Sequence, residues 1–454
     1  MSKQCLVCRF GVRDIAEANV AAPDSTSTTL LFTDPNEQFT HGIGKTLQEV
    51  RKRGITPSET AFDLLVLAAS VYRSDTRIDR SVESQDNWTR EIDVYLPVHD
   101  PERWNRVRTS LGETLEFLTG DKWRFFFRPR PEGFETIVTQ SSTINSNLPN
   151  SACLFSGGLD SFIGAIDLLE AGENTLLIHH ANPWDSGTNK YQKACLDALK
   201  AERDLQDVKS DIGFHKRAKT DPTENTERSR SFLFFAVAAF AASGLRQTDA
   251  TIHVPENGLM SLNVPLDSLR LGSLSTRTTH PFYMGRFNEL LRTLEIPAHV
   301  ANPYRFKTKG HMVRECRNQA FLEAHVAKTM SCASPKKNRT RGMPYGHCGY
   351  CFPCLIRRAS LFGFNDTTPY QTDLRQQPLI STKAEGDSVR SCQLAINKLN
   401  NDIRRARTLI HKPGPLGTNF DDLEAYAHVY LDGMQEIATL LNGVRTVPYA
   451  LTAS

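Results

Sequence analysis

The chain has 454 residues, 39% of them hydrophobic and 23% charged, with a net charge of +3. That length exceeds one ordinary domain and predicts two or three. So small a charge does not argue for nucleic-acid binding, and no run approaches the roughly 18 apolar residues of a membrane span. Neither a membrane nor a nucleic acid is therefore the expected partner. The start, MSKQCLVCRF, lacks the apolar core of a secretory signal and predicts a cytoplasmic protein whose ten cysteines are not disulfides.

Residues 1–146 are expected to form a separate α+β accessory domain. Cys5-x₂-Cys8 has no second pair nearby and reads as packing in a terminal strand. SETAFDLLVLAASVY (58–72) predicts a buried helix with Ser58 as its cap. Residues 88–96 alternate with period two, a strand that Pro97 should end. ERWNRVRTSLGETLEFL (102–118) reads as a helix, and KWRFFFRPR (122–130) as a strand stopped by Pro129. The polar TQSSTINSNLPNS (139–151) makes a linker.

From Ser151 the pattern changes. Short apolar strands at 152–155, 175–179, 207–212, 251–254 and 298–301 alternate with helices at 161–171, 189–203, 226–243, 284–295 and 308–329. Such alternation predicts a parallel sheet covered on both faces. Beyond residue 372 the tail, 373–454, is helical: an amphipathic stretch at 388–410, then apolar residues at helical spacing from Leu423 to Leu441. Pro413-Gly414-Pro415 separates them.

SACLFSGGLDSFIGAIDLLEAG (151–172) places two glycines between a strand and a helix, the loop of a parallel sheet where phosphates bind. Glycines at 157 and 158 let backbone N–H groups meet an anion with no Cβ in the way. The hydroxyls of Ser156 and Ser161 can donate to phosphate oxygens, and the helix N-terminus adds partial positive charge. Asp160 cannot itself welcome phosphate, and its natural role is to hold Mg²⁺. The alternative is a plain strand-to-helix turn.

Cys332, Cys348, Cys351 and Cys354 supply four thiolates, which suits a closed, structural Zn²⁺ site in a loop at 332–354. An iron–sulfur cluster or buried free cysteines are the alternatives. Arg228 and Arg230 begin a helix, where a cation is electrostatically out of place, so they are read either as anion ligands or as a solvated face. Glu256 could accept from a guanine-type edge or cap a turn. Asn257 beside it, and Arg277 and Thr278 further on, are candidate substrate contacts. His179 and His180 end a strand with no partner legible. His280 reads as structural.

The S-G-G-x-D-S loop resembles that of the PP-loop ATP pyrophosphatases. Together with CGYCFPCLIRRASLFGF it resembles the 7-cyano-7-deazaguanine synthase (QueC) family. RSRSFLFFAVAAFAASG (228–244) and NPYRFKTKGHMV (302–313), with Pro303, Thr308 and Lys309, agree with that family over roughly residues 150–365. The resemblance implies an adenine nucleotide alpha hydrolase-like, doubly wound sheet over 150–372 with a zinc knuckle. It also implies ATP-dependent formation of AMP and pyrophosphate, and activation of a 7-deazaguanine carboxylate toward an amide or nitrile. Asp160, Lys309 and Ser161 would be catalytic, and Ser156, Gly157, Gly158, Asp160, Ser161 and Arg230 would hold ATP. The cofactors would be ATP, Mg²⁺ and Zn²⁺. The spacer between Cys332 and Cys348 is longer than in the family, and 254–281 departs from its usual segment, which puts the substrate in question. A longer chain with such a core resembles the QueC-like component of Qat-type anti-phage defence systems, which implies a partner protein. A tRNA-modifying enzyme and a non-catalytic nucleotide sensor are the alternatives.

Overall fold

The computed structural model describes residues 3–16, 25–84, 88–138, 147–180, 186–214, 224, 226–267, 277–333, 335 and 345–448. Among these, no helix is long and apolar enough to cross a membrane. Two parallel sheets organise the chain.

The first contains β1 (Lys3–Arg9), β2 (Ser25–Leu31), β3 (Glu91–Val98) and β4 (Lys122–Pro129), in the order β2-β1-β3-β4. Every neighbouring pair is parallel. Its helices are α1 (Ile43–Arg51), α2 (Glu59–Arg77), α3 (Arg80–Glu83) and α4 (Pro101–Thr119). The α+β expectation for this region gives way to an α/β arrangement: every strand pair is parallel, α1, α2 and α3 lie between β2 and β3, and α4 lies between β3 and β4. As expected, Ser58 caps α2 by accepting from the Ala61 N–H, and Cys5 and Cys8 pack inside β1. Pro97 does not end β3. The β1 register stops at Tyr95, so Pro97 lies where only β4 still runs alongside and its missing N–H costs no bond to β1.

The second sheet contains β5 (Ser151–Leu154), β6 (Thr175–His180), β7 (Gln206–Ser210), β8 (Ala250–His253) and β9 (Ala298–Ala301). It too is wholly parallel, in the order β7-β6-β5-β8-β9. Helices α5 (Leu159–Glu170), α6 (Ser186–Glu202), α7 (Arg230–Ala242), α8 (Gly258–Leu262) and α9 (Pro281–Thr293) connect or follow its strands. The chain winds outward from β5 to β7, then returns to the other side of β5 for β8 and β9. The loops after β5 and β8 therefore diverge at one point of the carboxyl edge, the topological switch point where such sheets bind ligands.

The two sheets share packed helices and one hydrophobic core. Nearly all of α2 is buried, and α7 is apolar all round, which requires cover on every side. They provide it for each other: α2 packs on α7, α4 on α9 and α1 on β7. A single hydrophobic core runs from Leu6 to Val300 through both layers of helices. The expected boundary near residue 146 separates two sheets but not two cores.

Downstream, the helix expected over 308–329 is broken into α10 (Lys309–Arg314), α11 (Gln319–His325) and a 3₁₀ turn, with Asn318 capping the second piece. Helix α12 (Phe352–Ser360) follows the cysteine loop. The expected 388–410 helix is two, α13 (Ala384–Leu399) and α14 (Ile403–Leu409), because Asn400 and Asn401 both take left-handed backbone conformations. The long α15 (Phe420–Leu441) completes the tail, with a short parallel pair, β10 (Leu379–Ile380) and β11 (Thr446–Val447). These helices share a second core with Leu259 and Leu262 of α8, so the tail buttresses the edge of the second sheet.

Candidate functional site

The glycine loop lies between β5 and α5. Gly157 has φ +77°, and a Cβ there would sit 2.6 Å from the Gln192 Cα, so both the turn and the close approach demand glycine. Gly158 begins α5, and no side chain caps that helix. Ser156 and Ser161 instead close on one another at 3.1 Å, Ser156 Oγ accepts from the Gly158 N–H, and Ser161 Oγ donates to the Gly158 carbonyl. An uncapped helix start with two hydroxyls and no Cβ in its approach is chemically suited to an anion such as phosphate.

In the first turn of α5, Asp160 is 5% exposed, yet it is surrounded by donors. Lys309 Nζ lies 2.9 Å from Oδ1, while the Asn257 backbone N–H and Nδ2 reach Oδ2 at 3.1 and 2.7 Å. Burial would raise the Asp160 carboxyl, but the Lys309 charge and hydrogen bonds from Glu256, Lys309 and Asn257 outweigh it and hold the group below its usual value. Its neighbour shows the complement. Burial, then the charge of Asp160 and its hydrogen bond, push Glu256 well above the ordinary 4.5. Two carboxyls sharing a site split in this way, one pushed toward the ionised form and the other toward the protonated form. The Mg²⁺ expected at Asp160 does not fit this arrangement, because both carboxylate oxygens face cationic or N–H donors. Asp160 serves as the anchor of a buried ion pair.

Lys309 owes its position to the tail. Thr308 caps α10 in a capping box with His311. Glu436 of α15 accepts from Thr308 Oγ1 at 2.7 Å and from the Gly310 N–H at 3.3 Å, and Arg314 approaches it at 3.4 Å. A Cβ on Gly310 would fall 2.1 Å from Glu436 Oε1, so the carboxylate occupies space only glycine leaves. Acidic charge at a helix start is favourable, and here it clamps the turn that carries Lys309.

Between the loops after β5 and β8 lies a cavity of about 150 Å³. Ser156, Ser161 and Glu256 meet it on the polar side, and Phe155, Ile178, Phe234 and Val254 line its apolar side. Arg230 reaches its wall above the Phe234 ring, 5.0 Å from the centroid, with Glu227 at 3.5 Å. Gln192 ties the floor together, donating to the carbonyls of Phe155 at 3.1 Å and His180 at 3.4 Å.

The four cysteines converge: one sulfur from each lies within 4.8 Å of the others, and the set could hold zinc. Cys332 and Cys351, and likewise Cys348 and Cys354, are 3.9 Å apart. Zn–S bonds of about 2.3 Å place tetrahedral sulfurs about 3.8 Å apart, so the spacing fits. It is too tight to enclose a four-iron cluster. The segment entering this cluster also holds the glycine loop, because the Met330 N–H donates to the Gly157 carbonyl at 2.9 Å.

The structure thus brings together Ser156, Gly157, Gly158, Asp160, Ser161, Arg230, Glu256, Asn257 and Lys309. Asn257 acts through Asp160 and also caps α8, accepting from the Met260 N–H. Arg277 and Arg228 belong elsewhere. Arg277 donates to the Phe117 carbonyl at 2.7 Å and lies over that ring, leaving Thr278 and Thr279 to line the cavity. Arg228 donates to the Thr119 carbonyl and stacks on Trp88, so it braces the two sheets and does not meet an anion. Sequence reasoning missed Gln192 and Glu436, whose roles depend on packing between distant segments, and left His180 without a partner.

No family model matches the chain, and no curated protein matches it. Among solved structures, a ketoreductase domain from the bacillaene assembly line aligns at 11% identity and a TM-score of 0.22, over 64% of this chain and 76% of that one. A likeness of that size carries no argument.

Proposed function

We propose that the chain is a QueC-like, ATP-dependent C–N ligase that activates a carboxylate of the 7-deazaguanine type. The observation that carries this reading is the meeting of Ser156 and Ser161 of the glycine loop, Arg230 and Glu256 on one cavity at the switch point of the second sheet, with Glu256 hydrogen-bonded to the Asp160 of the Lys309–Asp160 pair. In this reading a carboxylate oxygen attacks the α-phosphorus of ATP, the bond to the β-phosphate oxygen breaks, and pyrophosphate leaves. An amine then attacks the acyl carbon and AMP departs, giving an amide. In a second activation the amide oxygen attacks the α-phosphorus of another ATP and pyrophosphate leaves; AMP then departs with that oxygen as the nitrogen gives up its two protons, which gives a nitrile.

The residues divide the work by their charge. The α5 N-terminus, Ser156 and Ser161 donate to the departing pyrophosphate, where charge develops, and Lys309 brings the compensating cation. Asp160 orients Lys309, Asn257 holds Asp160, and Arg230 faces the phosphates from the opposite wall. Glu256, kept protonated, offers a hydrogen-bond donor that an ionised carboxylate would lack. Zn²⁺, where bound, supplies a structural crosslink, and the cysteines hold the 330–332 segment against the glycine loop. The added tail and N-terminal region support a specialised form, a component of anti-phage defence whose amine comes from a partner protein.

The test is ATP conversion to AMP and pyrophosphate with 7-carboxy-7-deazaguanine, for wild type against Asp160→Ala and Lys309→Gln, each checked for fold by its melting curve. Substrate-dependent AMP formation lost in both folded variants supports the reading. ATP binding without AMP formation, with ammonia and partner proteins supplied, replaces it with a nucleotide sensor.

A further inference from the structure

His180 ends β6 on the wall of the cavity and is 9% exposed. Its Nε2 lies 2.7 Å from the Ile212 carbonyl. A carbonyl only accepts, so Nε2 carries the proton and Nδ1 is left with its lone pair. Among the described residues, Nδ1 is buried and has no hydrogen-bond partner. Buried polar atoms in folded chains are nearly always satisfied, so an orphan on a cavity wall is an acceptor waiting for a ligand.

The surroundings narrow the ligand's shape. The imidazole leans on Phe234, with ring centroids 5.0 Å apart, and Phe155, Ile178, Val237 and Val254 supply apolar surface to the same cavity. A flat aromatic body fits such walls, with polar groups confined to its edge. We infer that His180 is a specificity-determining residue, a fixed-tautomer acceptor that reads an exocyclic amino group on a planar heteroaromatic base bound in the cavity. The inference rests on the reading of this cavity as a nucleotide and deazapurine site.

The acceptor is stable in that role. Burial, then the charge of Arg230, lowers His180 to about 4, so near neutral pH Nδ1 stays unprotonated and can only accept. The Ile212 carbonyl and then Asp211 oppose the shift only in part, and neighbouring His179, which adds to it, is itself engaged, with Asp207 at 2.9 Å from its Nε2 and Gln192 at 3.3 Å from its Nδ1.

Two ligands of this reading carry such an amine: the adenine of ATP at its 6-position, and 7-carboxy-7-deazaguanine at its 2-position. The experiment separates them by calorimetric binding to the zinc-loaded full-length chain. One arm compares ATP with purine riboside 5′-triphosphate, which lacks the amine. The other compares 7-carboxy-7-deazaguanine with its 2-desamino counterpart. Wild type is expected to favour the amino form by about tenfold or more in one arm, which names the source, since an unmet buried acceptor is costly. His180→Phe keeps an aromatic ring, loses the acceptor and should erase that preference. Equal affinities within both pairs, or a preference that survives in His180→Phe, overturn the inference while leaving the proposed function intact. Absence of binding in both arms overturns the proposed function and this inference with it.

Discussion

The two sheets of this chain share one architecture and treat their carboxyl edges in opposite ways. At the first sheet the edge is closed by the chain itself. Asp14 accepts from the Phe10 N–H and from Arg128, Asp63 accepts from the His99 N–H and from Arg130, and Glu59 in the first turn of α2 takes the N–H groups of Ile137 and Val138. The rings of Phe10, Phe39, Phe62 and Phe134 fill the space between. At the second sheet the helix start is uncapped, one carboxylate is spent on Lys309, another stays protonated, and a cavity remains. The loops and helix starts that follow parallel strands leave both carboxyl edges rich in backbone donors. The first satisfies them with internal carboxylates, and the second leaves the start of α5 without a side-chain cap beside a cavity.

The largest expected effect comes from Lys309→Met, which leaves Asp160 as a buried, unpaired charge. It should cost about 3–5 kcal/mol in denaturant unfolding, and AMP formation should fall by on the order of a hundredfold or more. Adding Asp160→Asn should restore most of the stability and none of the activity. The mirror experiment, Asp63→Ala at the closed edge, should cost stability but leave turnover per folded molecule unchanged. A loss of turnover there would break the comparison.

Glycines sharpen it next. Gly157→Ala meets both a left-handed backbone and a clash with Gln192, so it should lose more than the about 1–2 kcal/mol of the backbone alone and weaken ATP binding at least about tenfold. Gly133→Ala in the first region has φ +86° and open space, so only the backbone cost of about 1–2 kcal/mol should appear, with binding unchanged.

Acid should act through a buried histidine beside α9. Burial, then Arg277, lowers His280 to about 3. The unfolded chain takes up that proton near 6.5 while the folded chain does not, so His280's contribution is intact above 6.5 and is lost as pH falls toward 3. His280→Asn, which can still cap Phe282, should flatten the fall in stability by about 1.4 kcal/mol per pH unit, read from melting curves across that range. The smallest effect belongs to Glu436→Gln. It weakens the clamp on α10 by about 1 kcal/mol and should lower AMP formation a few-fold without changing zinc content.

Much of the second sheet was legible because each signal was local. The strand, the glycines and the helix that make the loop lie within twenty residues, and the strand at 298–301 falls where the alternation puts it. The fourfold cysteine spacing announced its convergence in the same way. The first sheet was harder. Ser25–Leu31 is mostly polar and exposed, so one strand carries little apolar signal, and without it the parallel order could not be read. The apolar faces of α2 and α7 each said "buried", but one sequence does not say against what. The break between α10 and α11 has no glycine or proline to mark it. His180 and Glu436 gain meaning only from a carbonyl, a ring and a helix start contributed by segments far away in the chain.

The packing of α2 on α7 ties the halves together independently of the peptide between them. Ser58 and Ser243 bond across that seam, and Asp75 holds both the N–H and the hydroxyl of Ser229 immediately before Arg230. A chain begun at Leu148 would present a bare oily helix to water and would clump, while a protease cut in the polar stretch after Val138 would leave two fragments that co-purify. Expressed apart, the fragments should recover a working molecule only when mixed, as a split protein whose reassembly reports on its own seam.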